Sequence, residues 1–165
     1  MVPDFEEEQM VTVFWAGFWT FLADQASKYL VVHYLDLRVK GELDVLSPFL
    51  NLRMAWNTGV NFGLFSQNSD MARWFLIALA LLICVFVLGW VMRDRPGKLG
   101  LISAGMMIGG ALGNVVDRML YGAVADFLNM SCCGFSNPYA FNIADIAIFI
   151  GAFGLILWGG EKKAA

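Results

Sequence analysis

Charge is scarce in this chain. Of its 165 residues only 15% are charged and 59% are hydrophobic, where a soluble domain would carry about a quarter charged residues. A large water-facing surface is excluded, and lipid is the expected solvent. There is a single histidine, His33. A metal centre built on several imidazoles is excluded with it, and Ser–His chemistry would have to use a residue that merely ends the first apolar segment. Cysteine amounts to Cys84, Cys132 and Cys133. An adjacent pair bridges only with strain, so these three make a poor disulfide framework, and with carboxylates alone a poor zinc set. The net charge is −3 with no basic patch, so no nucleic-acid partner is expected. No glycine-rich phosphate cradle precedes a helix and a lysine. A basic leader with a small-residue cleavage site is also missing: the chain opens "MVPDFEEEQ", and its first apolar segment is expected to stay as a span.

What the chain does have is apolar length. Trp74–Met92, Leu99–Val116 and Ile146–Gly160 are uncharged, and Met10–Ala23 is apolar with the pattern running on through Asp24 and Lys28. This predicts an all-α membrane protein in one domain over 1–165, with four transmembrane helices at about 10–32, 74–92, 99–120 and 142–160. The link "RDRPGK" and the tail residues Lys162 and Lys163 put both chain ends on the cytoplasmic side of a multi-pass fold. Residues 33–72 are too polar to span. Their "LDVLSPFLNLRMAWNTGVNFGLF" predicts short strands and turns on the outer surface. Residues 121–141 are expected as a second outer loop.

The polar residues fall at one depth. Asp24 lies roughly 20 Å along its helix from Val11, Asp117 roughly 27 Å from Leu99, and Asp145 roughly 20 Å from Trp158, all measured from the cytoplasmic face at 1.5 Å per residue. In a core about 30 Å thick all three approach the outer boundary, and Asp126 follows soon after Asp117. Asp24 and Lys28 are i,i+4 and can pair. Asn114, Asp117 and Arg118 share a helical face, with Arg118 expected to clamp Asp117, and Asn142 and Asp145 are i,i+3. Gly105, Gly109 and Gly113 form a small-residue stripe that admits another helix closely and turns Asn114 into the bundle. Each pair has a structural explanation, but ionisable groups gathered inside a membrane point to function.

Carboxylates are the chemistry on offer. Two that lie close cannot both ionise cheaply, so one holds a proton and the other does not. Such a pair can activate water and protonate a leaving amine, which is aspartic peptide hydrolysis without metal or cofactor. Asp126 and Asp145 are the best candidates, because neither has a basic partner at helical spacing. A proton-coupled transporter or a membrane scaffold is the alternative. A transporter predicts polar groups at the midplane and often an internal repeat, and neither is visible.

"DQASK" at 24–28, "NTGVNFGLF" at 57–65, "GNVVDR" at 113–118, "VADF" at 124–127 and "FNIAD" at 141–145 together resemble the bacterial lipoprotein signal peptidases, signal peptidase II. The resemblance implies an aspartyl endopeptidase of the inner membrane. It would cleave diacylglyceryl-modified prolipoproteins on the amino side of the lipidated cysteine and be a target of globomycin-type inhibitors. It maps the catalytic pair to Asp126 and Asp145, with Asp24, Lys28, Asn57, Gly59, Asn114, Asp117, Arg118 and Asn142 as substrate-binding or supporting positions. Residues 33–72 would supply a surface cradle and a mobile flap. Departures are Asn61 and Ala125 within the motifs, the acidic Glu6–Glu8 and the Cys132–Cys133 loop. None touches the two aspartates.

Overall fold

A computed structural model of the chain describes residues 5–47, 49–59, 69–132 and 137–160. Helix α1 (Phe5–Tyr29) runs on through a π-helical turn at Leu30–Tyr34 into a single turn, α2 (Leu37–Lys40). Strands β1 (Glu42–Leu46) and β2 (Leu50–Asn57) follow, then α3 (Ser69–Asp94), α4 (Lys98–Tyr121), β3 (Val124–Met130) and α5 (Ile143–Trp158). Helices thus stand over all four apolar segments.

Local chemistry sets their ends. α3 stops at "RDRPGK" because the residue before Pro96 is pushed out of the helical region, and α4 restarts from Gly97. α4 closes on Gly122 at φ 79, whose N–H returns to the Arg118 carbonyl, a left-handed cap that favours glycine. α5 opens with a capping box: the Asn142 side chain accepts the Asp145 N–H, and the Asp145 side chain accepts the Asn142 N–H.

α4 is the central helix, packed on α1, α5 and α3. A side chain at Gly109 would collide with the Gly17 carbonyl, and one at Gly105 would press on the Val13 carbonyl and Ala16. The glycine stripe therefore faces α1, and the two backbones touch, as helices do in lipid where close packing must replace the hydrophobic drive. α3 and α4 are each long and apolar enough to cross a bilayer, at mean hydropathy 2.9 and 1.7. They differ in surroundings: 22% of the apolar window is buried in α3 and 61% in α4. Leu82, Val85 and Phe86 of α3 are exposed, an outward apolar face that suits lipid.

The strands form one antiparallel sheet in the order β1-β2-β3. Val31, Leu37, Leu52 and Phe127 build a small core beneath it, separate from the interhelical core around Val13, Val91 and Ala104. β3 corrects the expectation of a loop at 121–141. "VADFLNM" is buried along nearly its whole length, so it lacks the alternation that marks a half-exposed strand. Asp126 consequently sits in a sheet, paired in register with Ala55. Cys132 is disulfide-bonded, against the expectation for the cysteines, while Cys84 is a buried free thiol. Asn61, Cys133 and the stretch 60–68 of the expected flap lie outside the described residues.

Candidate active site

Four elements converge where α4 ends. α1 brings Asp24, Gln25 and Lys28; α4 brings Asn114, Asp117 and Arg118; β3 brings Asp126; the start of α5 brings Asn142 and Asp145. Asn57 closes the group from the end of β2.

The lower layer is an ion cluster. The Lys28 ammonium has three donors and no acceptor, and it meets three acceptors: Asp24 Oδ2 at 2.7 Å, Asp117 Oδ2 at 2.8 Å and Asn114 Oδ1 at 3.1 Å. The expected Asp24–Lys28 pair is present. The expected Asp117–Arg118 clamp is not, and Lys28 takes that role. Successive helical residues point about 100° apart, so neighbours in sequence do not face each other. Arg118 instead donates to the Asn114 carbonyl at 3.4 Å, with Asp145 the strongest of the carboxylate charges acting on it. Asp24 is wholly buried and accepts the Ala144 N–H through Oδ1 at 2.9 Å. It thereby satisfies a free donor in the first turn of α5. A side chain at Gly113 would collide with Asp24 Oδ2, so the third glycine of the stripe makes room for this cluster. Asp117 also takes the Ala125 N–H at 3.1 Å, which ties β3 to α4.

Gln25 was not foreseen as a site residue. Its amide donates to Asp24, to the Gly113 carbonyl and to Asp117 at 3.1–3.3 Å. Its place inside "DQASK" was the available signal. The backbone donors of Ala125 and Ala144 leave no trace in a side-chain inventory.

The upper layer holds Asp126 and Asp145, each addressed by amide groups. Asp126 accepts from Asn142 Nδ2 at 2.6 Å and from Asn57 Nδ2 at 3.0 Å. Asp145 accepts from Asn114 Nδ2 at 3.0 Å and from the Asn142 N–H at 3.2 Å. All three asparagines have their oxygen taken by a group that can only donate: Lys28 for Asn114, the Asp145 N–H for Asn142, and the Gly59 N–H for Asn57. Their NH₂ ends are therefore forced toward the two carboxylates. Gly59 reaches Asn57 from φ +76, a conformation glycine adopts without strain.

The two carboxylates differ in setting. Asp126 is 3% exposed; burial first, and then the charge of Asp145, push its carboxyl up to about 6, against the pull of Asn57, Asn142 and Lys28. Asp145 is half-buried at a helix N-terminus, where the dipole stabilises negative charge. An unequal pair of this kind can hold one shared proton and lend it out. Among the described residues no three His, Cys, Asp or Glu gather as a metal-holding group. An apolar cavity of about 230 Å³ lies between α3, α4 and α5, lined by Leu76, Leu79, Ile83, Ile148, Asn114 and Arg118. It runs from apolar side chains up to the polar cluster.

The family model described as signal peptidase (SPase) II matches residues 17–159. The chain belongs to the signal peptidase II family. Its similar relatives include the lipoprotein signal peptidase of Methylobacterium sp. (strain 4-46), 40% identical over 138 residues, which is 84% of this chain and 82% of that one. That of Methylobacterium radiotolerans is 43% identical over 138 residues, covering 84% and 79%. A solved bacterial membrane enzyme is similar in structure at TM-score 0.76 and 26% identity, covering 88% of this chain and 90% of that one. As a signal peptidase II family member the chain is a membrane peptidase that removes the signal peptide from prolipoproteins.

Proposed function

We propose that this family member is an intramembrane aspartyl endopeptidase that removes the signal peptide from diacylglyceryl-modified prolipoproteins, on the amino side of the lipidated cysteine, with Asp126 and Asp145 as its catalytic pair. The observation that carries the reading is the convergence of these two aspartates from β3 and α5, each gripped by two N–H donors and electrically coupled. Asp126, whose carboxyl burial and the charge of Asp145 push up to about 6, is the proton carrier of the pair. Asp145 takes a proton from a water as it attacks the scissile carbonyl. Asp126 lends its proton to the developing oxyanion. As the intermediate collapses, Asp145 passes the proton it took from water to the leaving amine, and Asp126 takes a hydroxyl proton back from the intermediate, which restores the pair. Asn57 and Gly59 border the pair from the sheet, and Arg118 from the apolar cavity, where the signal peptide segment before the cysteine docks.

The four helices cross the bacterial inner membrane as one domain, both ends cytoplasmic and the aspartates near the outer face. The outer segment 33–72, of which β1 and β2 are described, supplies the surface cradle, and the acyl chains of the substrate stay among membrane lipid. Globomycin-type inhibitors are this peptidase's expected ligands. The transporter and scaffold readings leave the paired aspartates without a task.

The test is cleavage of a lipidated preprolipoprotein by the purified full chain, with and without globomycin, beside Asp126→Asn and Asp145→Asn. Each variant should lose about a thousandfold or more in turnover, keep its fold, and still capture substrate in a pull-down. A chelator should change nothing. Substantial cleavage by either variant, or chelator inhibition, would sink the assignment.

A further inference from the structure

We infer that Lys28 is a positioning residue that acts on the catalytic pair through Asn114, by dictating which end of that amide meets Asp145. The inference rests on the reading of Asp126 and Asp145 as the pair. Lys28 has no hydrogen bond to either of them; its three protons go to Asp24, Asp117 and Asn114 Oδ1. The third bond is the consequential one. An amide oxygen and an amide NH₂ are nearly the same size, so packing alone discriminates poorly between the two orientations of Asn114. An ammonium cannot accept a hydrogen bond. With Lys28 beneath it, Asn114 must present its oxygen downward and its NH₂ to Asp145 Oδ1, 3.0 Å away. Asn142, which also donates to Asn114 Oδ1 at 3.3 Å, enforces the same orientation.

The consequence is chemical. A donor facing Asp145 favours its carboxylate, the form able to take a proton from water. If Asn114 turned over, an oxygen would face an oxygen, and Asp145 would relieve the contact by keeping a proton. The charged groups around Asp145 are Asp126 on β3, Asp117 and Arg118 on α4, and Asp24 and Lys28 on α1. The nearest cation from α3, Arg73, is held on the Met119 carbonyl. Arg118 interacts with Asp145 by its charge, whereas Lys28 holds the Asn114 amide itself.

The measurement is the pH profile of kcat/KM on a lipidated preprolipoprotein. Activity requires the ionised base, so the acidic limb should move upward by about one pH unit in Lys28→Met. Lys28→Arg, still a donor-only cation, should restore most of the limb. Asn114→Ala should shift the limb in the same direction, and adding Lys28→Met to it should produce little further shift, because the intermediary is gone. A purely coulombic Lys28 would shift the limb equally in both backgrounds, which overturns the inference. So does a limb unmoved in folded Lys28→Met. Should Lys28→Met fail to fold with two carboxylates left uncompensated, Lys28→Met/Asp117→Asn removes one of them. Should that fail too, Asn114→Ala decides, since an unmoved limb there excludes the amide. Asp145→Asn run in parallel keeps the two readings apart. Turnover in that variant removes the pair itself, whereas an inactive Asp145→Asn beside an unmoved Lys28→Met limb leaves the pair standing and removes Lys28's part.

Discussion

The two halves of α4 hold their neighbours by opposite means. Around Gly105 and Gly109 the helix meets α1 through bare backbone, and no polar side chain crosses the contact. Around Asn114 and Asp117 it meets α1, β3 and α5 through amides and ions, nearly all of them satisfied. Backbone contact sets how near two helices lie but tolerates small rotations. Hydrogen bonds to carboxylates tolerate little, because their strength falls steeply with angle. The first half of α4 therefore fixes distance, and the second half fixes direction. The proposed pair, two carboxylates aimed at one water, would need both, and α4 supplies them in series.

This division can be broken at either end. The largest effect is expected from Gly109→Val, whose side chain collides with the Gly17 backbone. Helix separation should fail, with a loss of about 3 kcal/mol or more in stability and turnover falling with it. A folded, fully active variant would show that the backbone contact is dispensable. Next comes the pH dependence of stability. The Asp126 carboxyl is raised from its ordinary 3.8 to about 6, so the fold favours its protonated form. That stabilising contribution is complete below about pH 4 and is lost as pH rises through 6, on the order of 3 kcal/mol in all. Thermal melting of the parent should fall across that window, and Asp126→Asn should flatten the fall whatever its absolute stability. Equal slopes in the two proteins would mean that Asp126 titrates normally.

A sharper cut lies between Asp117 and Arg118. Because Lys28 and not Arg118 neutralises Asp117, Arg118→Ala should leave the melting temperature nearly unchanged. It should lower turnover by about tenfold to a hundredfold through the charge lost beside Asp145. A large melting loss with normal turnover would restore the clamp expected from sequence. The smallest effect belongs to α3. Leu82→Ala removes a side chain that is 65% exposed toward lipid, and stability should change by less than about 0.5 kcal/mol.

Much of this was legible before any coordinates. That Asp24, Asp117 and Asp145 belong to one polar cluster is foreshadowed by helix rise, and Asp24–Lys28 follows from helical spacing. The glycine stripe pointed to a close partner, which is α1. What escaped sequence reasoning has physical reasons. β3 is buried on both faces and shows no alternation, so Asp126 was expected beyond a helix end and not in a sheet. Arg118 follows Asp117 in sequence but points about 100° away around the helix, so adjacency is not proximity. The contacts of Lys28 with Asp117 and Asn114 join α1 to α4 across a stretch of chain that no local pattern encodes. The capping box of α5 was half visible, since the i,i+3 spacing of Asn142 and Asp145 was noticed without the turn it closes.

The bond from Asp24 to the Ala144 N–H, spanning 120 residues, bears on how the chain is made. Synthesis delivers α1 long before α5, so Asp24 enters the bilayer without its final partner. Lys28, four residues on, accompanies it in the same helix, and the newborn segment inserts carrying a local neutral pair instead of a bare charge. Only when the start of α5 emerges is the second oxygen of Asp24 engaged, and the same turn delivers Asp145. If Asp126 and Asp145 are the catalytic pair, a ribosome-bound precursor lacking α5 holds only half of it and should cut nothing while it is still being made.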